Sequence, residues 1–474
     1  MRPTRRMRTT PRLAWLSGGC ALAACGFSEG LSSPVAIDCT DTLTDAYHSV
    51  KGLAQWALRR RGQVIRCTKS TSLGAQAIRQ QLESEGYSSA GINTGADTYV
   101  IAYRTSRIDE DQEGVTSALV YLPFTPVVTG QTQPLVVYAH DTVGLGTQCA
   151  PSRNDPLLNT ALIGLVGRGF TVIAPDYAGY GYSDEPPGYL SAADEGHTVL
   201  DATRAARTML SGHYLANTTV LVGYGQGGHA VLSAQSMQQS YGVDGELNGV
   251  ATFAPIWFPI RNVGSVPLLG GPNDNAEPYT GSMYYFYSHS VLEDGASQGG
   301  TLFNQDRSAQ IVDQIANQCL NSTIDYVKGL GDQPSDVFTA QFLTELTPCA
   351  ATEHGCDNPL AQQWMPRFAA DRPVIDAQGA PMVIWQGSLD TTVTPALAEC
   401  GVAKISEELV PGESATLTTC VDPQATHASI VSLDMDWVAA WILARTTGSA
   451  EPPACSGADN LPPCPPVPSP SNQD

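Results

Sequence analysis

The stretch that most constrains this chain is Thr219-Val-Leu-Val-Gly-Tyr-Gly-Gln-Gly-Gly-His-Ala-Val-Leu-Ser-Ala234. The apolar run at 219–222 reads as a buried strand. A glycine-dense corner follows at 223–228, and Ala230, Val231, Leu232 and Ala234 resume as a helix. Strand and helix can meet so sharply only if the residues two before and two after the apex are small, because the backbones nearly touch there. Gly223 and Gly227 meet that demand and place the apex at residue 225. An apex of this kind normally presents Ser, Cys or Asp as a nucleophile. Here the residue is Gly225.

The flanking sequence alternates strands and helices. Strands are expected at 98–103, 117–122, 134–140, 170–175 and 249–254, with helices at 156–168, 191–212 and from 226. That order predicts a mainly parallel sheet with helices on both faces. The rhythm stops after Pro255. Residues 258–375 are rich in Gly, Pro, Asn and aromatics, with helical pieces at 308–320 and 337–346. The segment is too long for a loop and reads as an inserted cap or lid. Its run Tyr279–Tyr287 holds five aromatics, which either line an apolar cleft or form core between cap and sheet. A strand at 381–386, a helix at 395–409, a strand at 416–420 and a helix at 429–445 complete the sheet domain. The expected organisation is a leader at 1–24, an N-terminal extension with helices at 25–95, and core at 96–257 and 376–446. The cap lies between the core parts at 258–375, and a Pro-rich tail follows at 447–474.

The leader is an address rather than structure. Five arginines precede a short apolar core, and Leu22-Ala-Ala-Cys25 fits a lipobox, in which Cys25 becomes lipidated after cleavage. The expected location is outside the cytoplasm, as a cell-envelope lipoprotein held to a membrane by its N-terminal lipid, or secreted if Cys25 is not lipidated. The chain has 25 basic against 46 acidic residues, five of the basic ones in the leader. So acidic a body does not suit nucleic acid or anionic lipid surfaces. Beyond Cys20 and Cys25, ten cysteines remain, an even number that in an exported chain reads as disulfides. Local spacing suggests 39 with 67, 349 with 356, 400 with 420 and 455 with 464, leaving 149 with 319. Neither C-x-x-C pairs nor H-E-x-x-H occur, so no metal is implied, and no cofactor is expected.

Gly-Tyr-X-Gln-Gly-Gly resembles the elbow of the secretory lipase family of α/β-hydrolases, in which X is serine. Other motifs carry the same resemblance, which covers residues 97–445. Gln386-Gly-Ser-Leu-Asp-Thr-Thr-Val-Thr-Pro395 is similar to the acid loop, and Ala425-Thr-His-Ala428 to the histidine loop. The resemblance implies Asp390 and His427 as catalytic acid and base, the carboxylate orienting the ring and stabilising its cation. His140-Asp-Thr running into Cys149-Ala-Pro-Ser152 resembles the oxyanion segment. It implies the backbone amides of Asp141 and Gln226 as oxyanion donors, and Cys149 as the cysteine linked to the cap. Asp176-Tyr-Ala-Gly-Tyr-Gly181 and Asp201-Ala-Thr-Arg-Ala-Ala206 also match and read as scaffold. His229 reads as a packed or cleft-side histidine rather than a substitute nucleophile.

The family hydrolyses carboxylic esters of lipids, and this chain departs from it at the attacking residue. A glycine has no Oγ, so an acyl-enzyme cannot form through residue 225. The expected function is a nucleophile-less homologue that binds an apolar or ester ligand. The alternative is a lipase or esterase that is active, or weakly active, through His427-activated water or another nucleophile.

Overall fold

The computed structural model describes residues 33–47, 60–182, 185–353, 356–455 and 461–466. The leader and Cys25 lie outside the described residues. The described residues from 34 onward form one compact unit.

Among the described residues, nine strands form one sheet: β1 (Val64–Leu73), β2 (Ala96–Ser106), β3 (Glu113–Pro123), β4 (Gln133–Ala139), β5 (Thr171–Pro175), β6 (Leu215–Tyr224), β7 (Glu246–Phe253), β8 (Met382–Gly387) and β9 (Leu417–Asp422). Their spatial order is β1-β2-β3-β5-β4-β6-β7-β8-β9. The first three strands and the β3–β5 pair are antiparallel, and every pair from β5–β4 to β8–β9 is parallel. The strand order reverses beside β4, and ligand crevices in such sheets lie at the carboxyl ends of strands around that point. The central strands are buried along their whole length, which explains their unbroken apolar sequence.

The helices are α1 (Leu43–Ala46), α2 (Ala75–Ser84), α3 (Thr160–Gly167), α4 (Ala192–Met209), α5 (Gln226–Ser236), α6 (Ala276–Asp294), α7 (Ser308–Asn317), α8 (Leu320–Lys328), α9 (Thr347–Thr352), α10 (Pro359–Ala370), α11 (Pro395–Glu408) and α12 (Ile430–Thr447). Side chains alternate across each strand, so the sheet carries two cores. Leu135 and Val137 face the core shared with α4, α5 and the segment between β7 and β8. Val136 and Tyr138 face the core of α2, α3 and α12.

Two readings of the sequence need correction. The helical extension expected over 25–95 contains β1, which pairs antiparallel with β2 and belongs to the same sheet. The bridges 39–67, 149–319 and 349–356 form as expected, but the tail cysteines exchange partners, giving 400–464 and 420–455. The reason is strand alternation. Cys420 points with Trp385 into the α12 face, whereas α11, through Ile405, packs on the opposite face. A 400–420 bridge would have to pass through the sheet. Cys455 instead bridges to Cys420 and Cys464 to Cys400.

The aromatic run on α6 is core. Tyr279, Tyr284, Tyr285 and Phe286 are buried. Tyr285 stacks on Phe368 at 5.4 Å, and Phe286 packs edge-on to Trp364 at 4.7 Å. Glu277, Pro278 and Gly281 of the same helix line the cleft instead.

Candidate functional site

Gly225 stands between β6 and α5 with φ 53° and ψ −113°. Its N–H donates to the Phe253 carbonyl at 3.0 Å, and its own carbonyl accepts from Ile256 N at 3.1 Å. The apex is thus tied to the end of β7. A Cβ at Gly223 would overlap the Gly227 carbonyl, and one at Gly227 would overlap the Ala139 carbonyl on β4. Strand, helix and neighbouring strand touch backbone to backbone, which is why this corner is built of glycine.

The acid lies after β8. The Asp390 side chain is buried, and its Oδ1 accepts the N–H groups of Thr392 at 2.9 Å and Val393 at 2.8 Å. Its Oδ2 is 2.8 Å from His427 Nδ1 and accepts from Gln386 Nε2 at 3.3 Å. The histidine lies after β9. The Tyr224 hydroxyl donates to the His427 carbonyl at 2.9 Å, and the two rings lie 5.0 Å apart. The acid and histidine loops are stitched together by Leu389 N donating to the Ala425 carbonyl at 2.9 Å. Local contacts therefore fix the ring, with Nδ1 on Asp390 and Nε2 directed at the elbow.

Asp141 follows β4, and it enters the site by its side chain. Oδ1 accepts from Gln226 N at 3.0 Å, and Oδ2 lies 3.5 Å from His427 Nε2. A Cβ at residue 225 would fall on the Asp141 carboxylate. The carboxylate thus fills the space that a hydroxymethyl group would take and occupies one amide expected to serve an oxyanion. Burial opposes a charge on His427, but Asp141 and Asp390 outweigh it and push the imidazole pKa up to about 10. At neutral pH the ring is an imidazolium between two carboxylates.

Asp141 and His427 line a small cavity of about 60 Å³ beneath α6, with Ile256, Val263, Leu320 and Val393 as apolar walls. Thr392 of the acid loop donates to Glu277 of α6 at 3.0 Å. On its other side Asp141 borders a second cleft of about 270 Å³, which Tyr87, Tyr138, Leu158 and Tyr224 help to line.

Several polar groups behind the elbow escaped the sequence reading. Glu195 of α4 accepts from Gln226 Nε2 at 2.7 Å and from Leu190 N at 2.9 Å, and lies 2.6 Å from His229 Nδ1. The Nε2 of His229 is 2.7 Å from the Asp371 carbonyl. Asp371 accepts from Tyr285 Oη at 2.7 Å and lies 3.5 Å from His289 Nε2. These acids are widely separated in sequence, so no local motif marks them. The matched scaffold motifs do local work. Buried Asp176 accepts the Ser152 N–H at 2.8 Å, and buried Asp201 accepts from Arg204 at 2.7 Å and from Tyr241 Oη at 2.7 Å. Among the described residues, no group of three or more His, Cys, Asp or Glu is placed to hold a metal ion.

Sheet order, elbow and loop placement define the α/β-hydrolase fold, and solved structures agree. The chain superposes on Candida antarctica lipase A in its closed state with a TM-score of 0.60 at 16% identity, covering 89% of this chain and 88% of that one. The rice cell wall degrading esterase LipA of Xanthomonas oryzae gives a TM-score of 0.59 at 18% identity, over 82% and 98% of the two chains. Within that fold the chain resembles the secretory lipases, and residues 157–264, which include the elbow, match the Secretory lipase family model. It is similar to the secreted triacylglycerol lipase LIP3 of Malassezia restricta, with 30% identity over 162 residues. That similarity spans about a third of each protein, 31% of this chain and 32% of the relative.

Proposed function

We propose that this chain is an exported α/β-hydrolase-fold protein whose cleft receives a lipid or other carboxylic ester, and that it holds this ligand without forming an acyl-enzyme. The activities for which similar proteins are named, triacylglycerol lipase and esterase, support the ligand class. The observation that carries the rest is Gly225 at the apex, beside an intact Asp390–His427 pair. In serine hydrolases of the protease type, loss of the serine costs about 2 × 10⁶ in kcat and leaves about 10³–10⁴ over water. At 1.36 kcal/mol per tenfold, that loss is roughly 8–9 kcal/mol of barrier.

Retention of Asp390 and His427 favours a second reading, slow hydrolysis by a His427-activated water. The cationic ring weighs against it, because an imidazolium has no lone pair with which to take a proton from water. In this reading residues 258–375 cap the cleft, with the Glu277–Thr392 hydrogen bond as a clasp at its edge. Residues 1–24 are a leader, and Cys25 carries the anchor, where two or more acyl chains give stable membrane attachment.

Gly225→Ser tests the proposal. A serine Cβ meets the end of the Asp141 side chain, which can rotate aside, and the residue must hold the strained φ of 53° that a nucleophile at such an elbow adopts. The wild type is expected to turn over a short-chain nitrophenyl ester barely above background, and Gly225→Ser about 10³-fold faster. Gly225→Ser/His427→Ala should fall back. A wild type that already matches a competent esterase, and loses that rate with His427→Ala, refutes the reading.

A further inference from the structure

The same centre shows what kind of head group it is built to hold. Asp141 Oδ1 takes the Gln226 amide at 3.0 Å, and Oδ2 faces the His427 ring at 3.5 Å. With Asp390 on Nδ1, Nε2 is the ring nitrogen that faces that oxygen. One neutral donor and one cationic donor, set side by side, suit the two oxygens of a carboxylate. Only a glycine at 225 leaves room for that group, since a Cβ there would overlap it. The Asp141 side chain retains 23% exposure, so it is not locked in by packing.

We propose that the elbow is a carboxylate receptor with Asp141 as its built-in occupant, and that the anion of a fatty acid competes with Asp141 for this place. The carboxylate preference stands on the geometry alone, whereas the alkyl chain rests on the lipid reading above. Ile256, Val263, Leu320 and Val393 border the cavity that Asp141 and His427 line, and give the first methylenes of a chain an apolar wall. An ester offers His427 a neutral carbonyl and forgoes the ion pair, so the site discriminates acid from ester. While Asp141 is seated, the receptive fraction of the protein is small, and apparent affinity falls in proportion to that fraction.

The test is calorimetric titration of the wild type, Asp141→Ala, Asp141→Ser and Asp141→Ala/His427→Gln with octanoate, methyl octanoate and acetate. Circular dichroism and thermal unfolding identify which variants are folded. Octanoate should bind Asp141→Ala and Asp141→Ser at least about tenfold more tightly than wild type, a change of about 1.4 kcal/mol. The gain should vanish with His427→Gln, and methyl octanoate should show no matching gain. Folded variants with no gain for octanoate overturn the proposal, as does an equal gain for the methyl ester. If methyl octanoate binds the wild type while octanoate gains nothing, the ester-ligand reading survives alone. If acetate gains as much as octanoate and neither long chain is preferred, the carboxylate receptor stands and the lipid reading fails.

Discussion

His427 and His229 are both held by a carboxylate on Nδ1, at 2.8 Å from Asp390 and 2.6 Å from Glu195, and they differ in what Nε2 meets. For His229 it meets the Asp371 carbonyl at 2.7 Å, and the residue has no exposed surface. Each ring nitrogen has a fixed partner, and Glu195 also holds the side chain of Gln226. For His427 it meets the end of a rotatable side chain at the border of a cavity. A histidine–carboxylate pair is thus not in itself a site. What distinguishes the centre at the elbow is that its outer partner can leave.

Removing Glu195 should have the largest effect. Breaking a buried charged pair by deleting one partner costs about 3–5 kcal/mol, and Glu195→Ala would also free Gln226 and Leu190 N. Chemical denaturation should show that loss, with Glu195→Gln costing less because it keeps an acceptor. A Glu195→Ala protein as stable as wild type would erase the contrast between the two histidines.

The double variant Cys149→Ala/Cys319→Ala should cost about 2–5 kcal/mol, the range for loss of a native disulfide. It unties the loop that carries Asp141 from α8. Thermal unfolding measures the cost, and a shift of less than a degree would mean that packing alone holds that loop.

The third test is the pH response. His427 rises from 6.5 in the unfolded chain to about 10 in the fold. The folded state therefore binds this proton more tightly. The resulting stability is fully present below pH 6.5 and is lost as pH climbs through about 10. Asp141→Ala removes one of the two carboxylates that raise it, so the titration of His427 followed by NMR should move down. The His229 resonance should stay in place. A His427 titration unmoved by Asp141→Ala would show that the two groups do not interact.

Elbow, acid loop and histidine loop were legible because each is a short contiguous motif whose residues act through their own backbone corner. The Asp141 side chain was not. Its position depends on a missing Cβ 84 residues further on and on how closely the ends of β4 and β6 approach. The resemblance assigned Asp141 through its amide, and no motif reports where a carboxylate turns when its neighbour is a glycine. Glu195 and Asp371 were hidden for a related reason, since helix packing brings them to His229. The cysteine pairing was misread at 400 and 420 because proximity in sequence says nothing about which face of β9 a side chain takes.

The bridge between Cys149 and Cys319, with Cα atoms 5.4 Å apart, is reinforced by Leu320 N donating to the Val143 carbonyl at 2.9 Å. One corner of the segment between β7 and β8 is thereby pinned beside Asp141. At another edge the Glu277–Thr392 hydrogen bond joins it to the acid loop. The loops that carry Asp141 and Asp390 are thus braced from the far side of the cleft as well as from the sheet, so their spacing does not rest on the sheet alone.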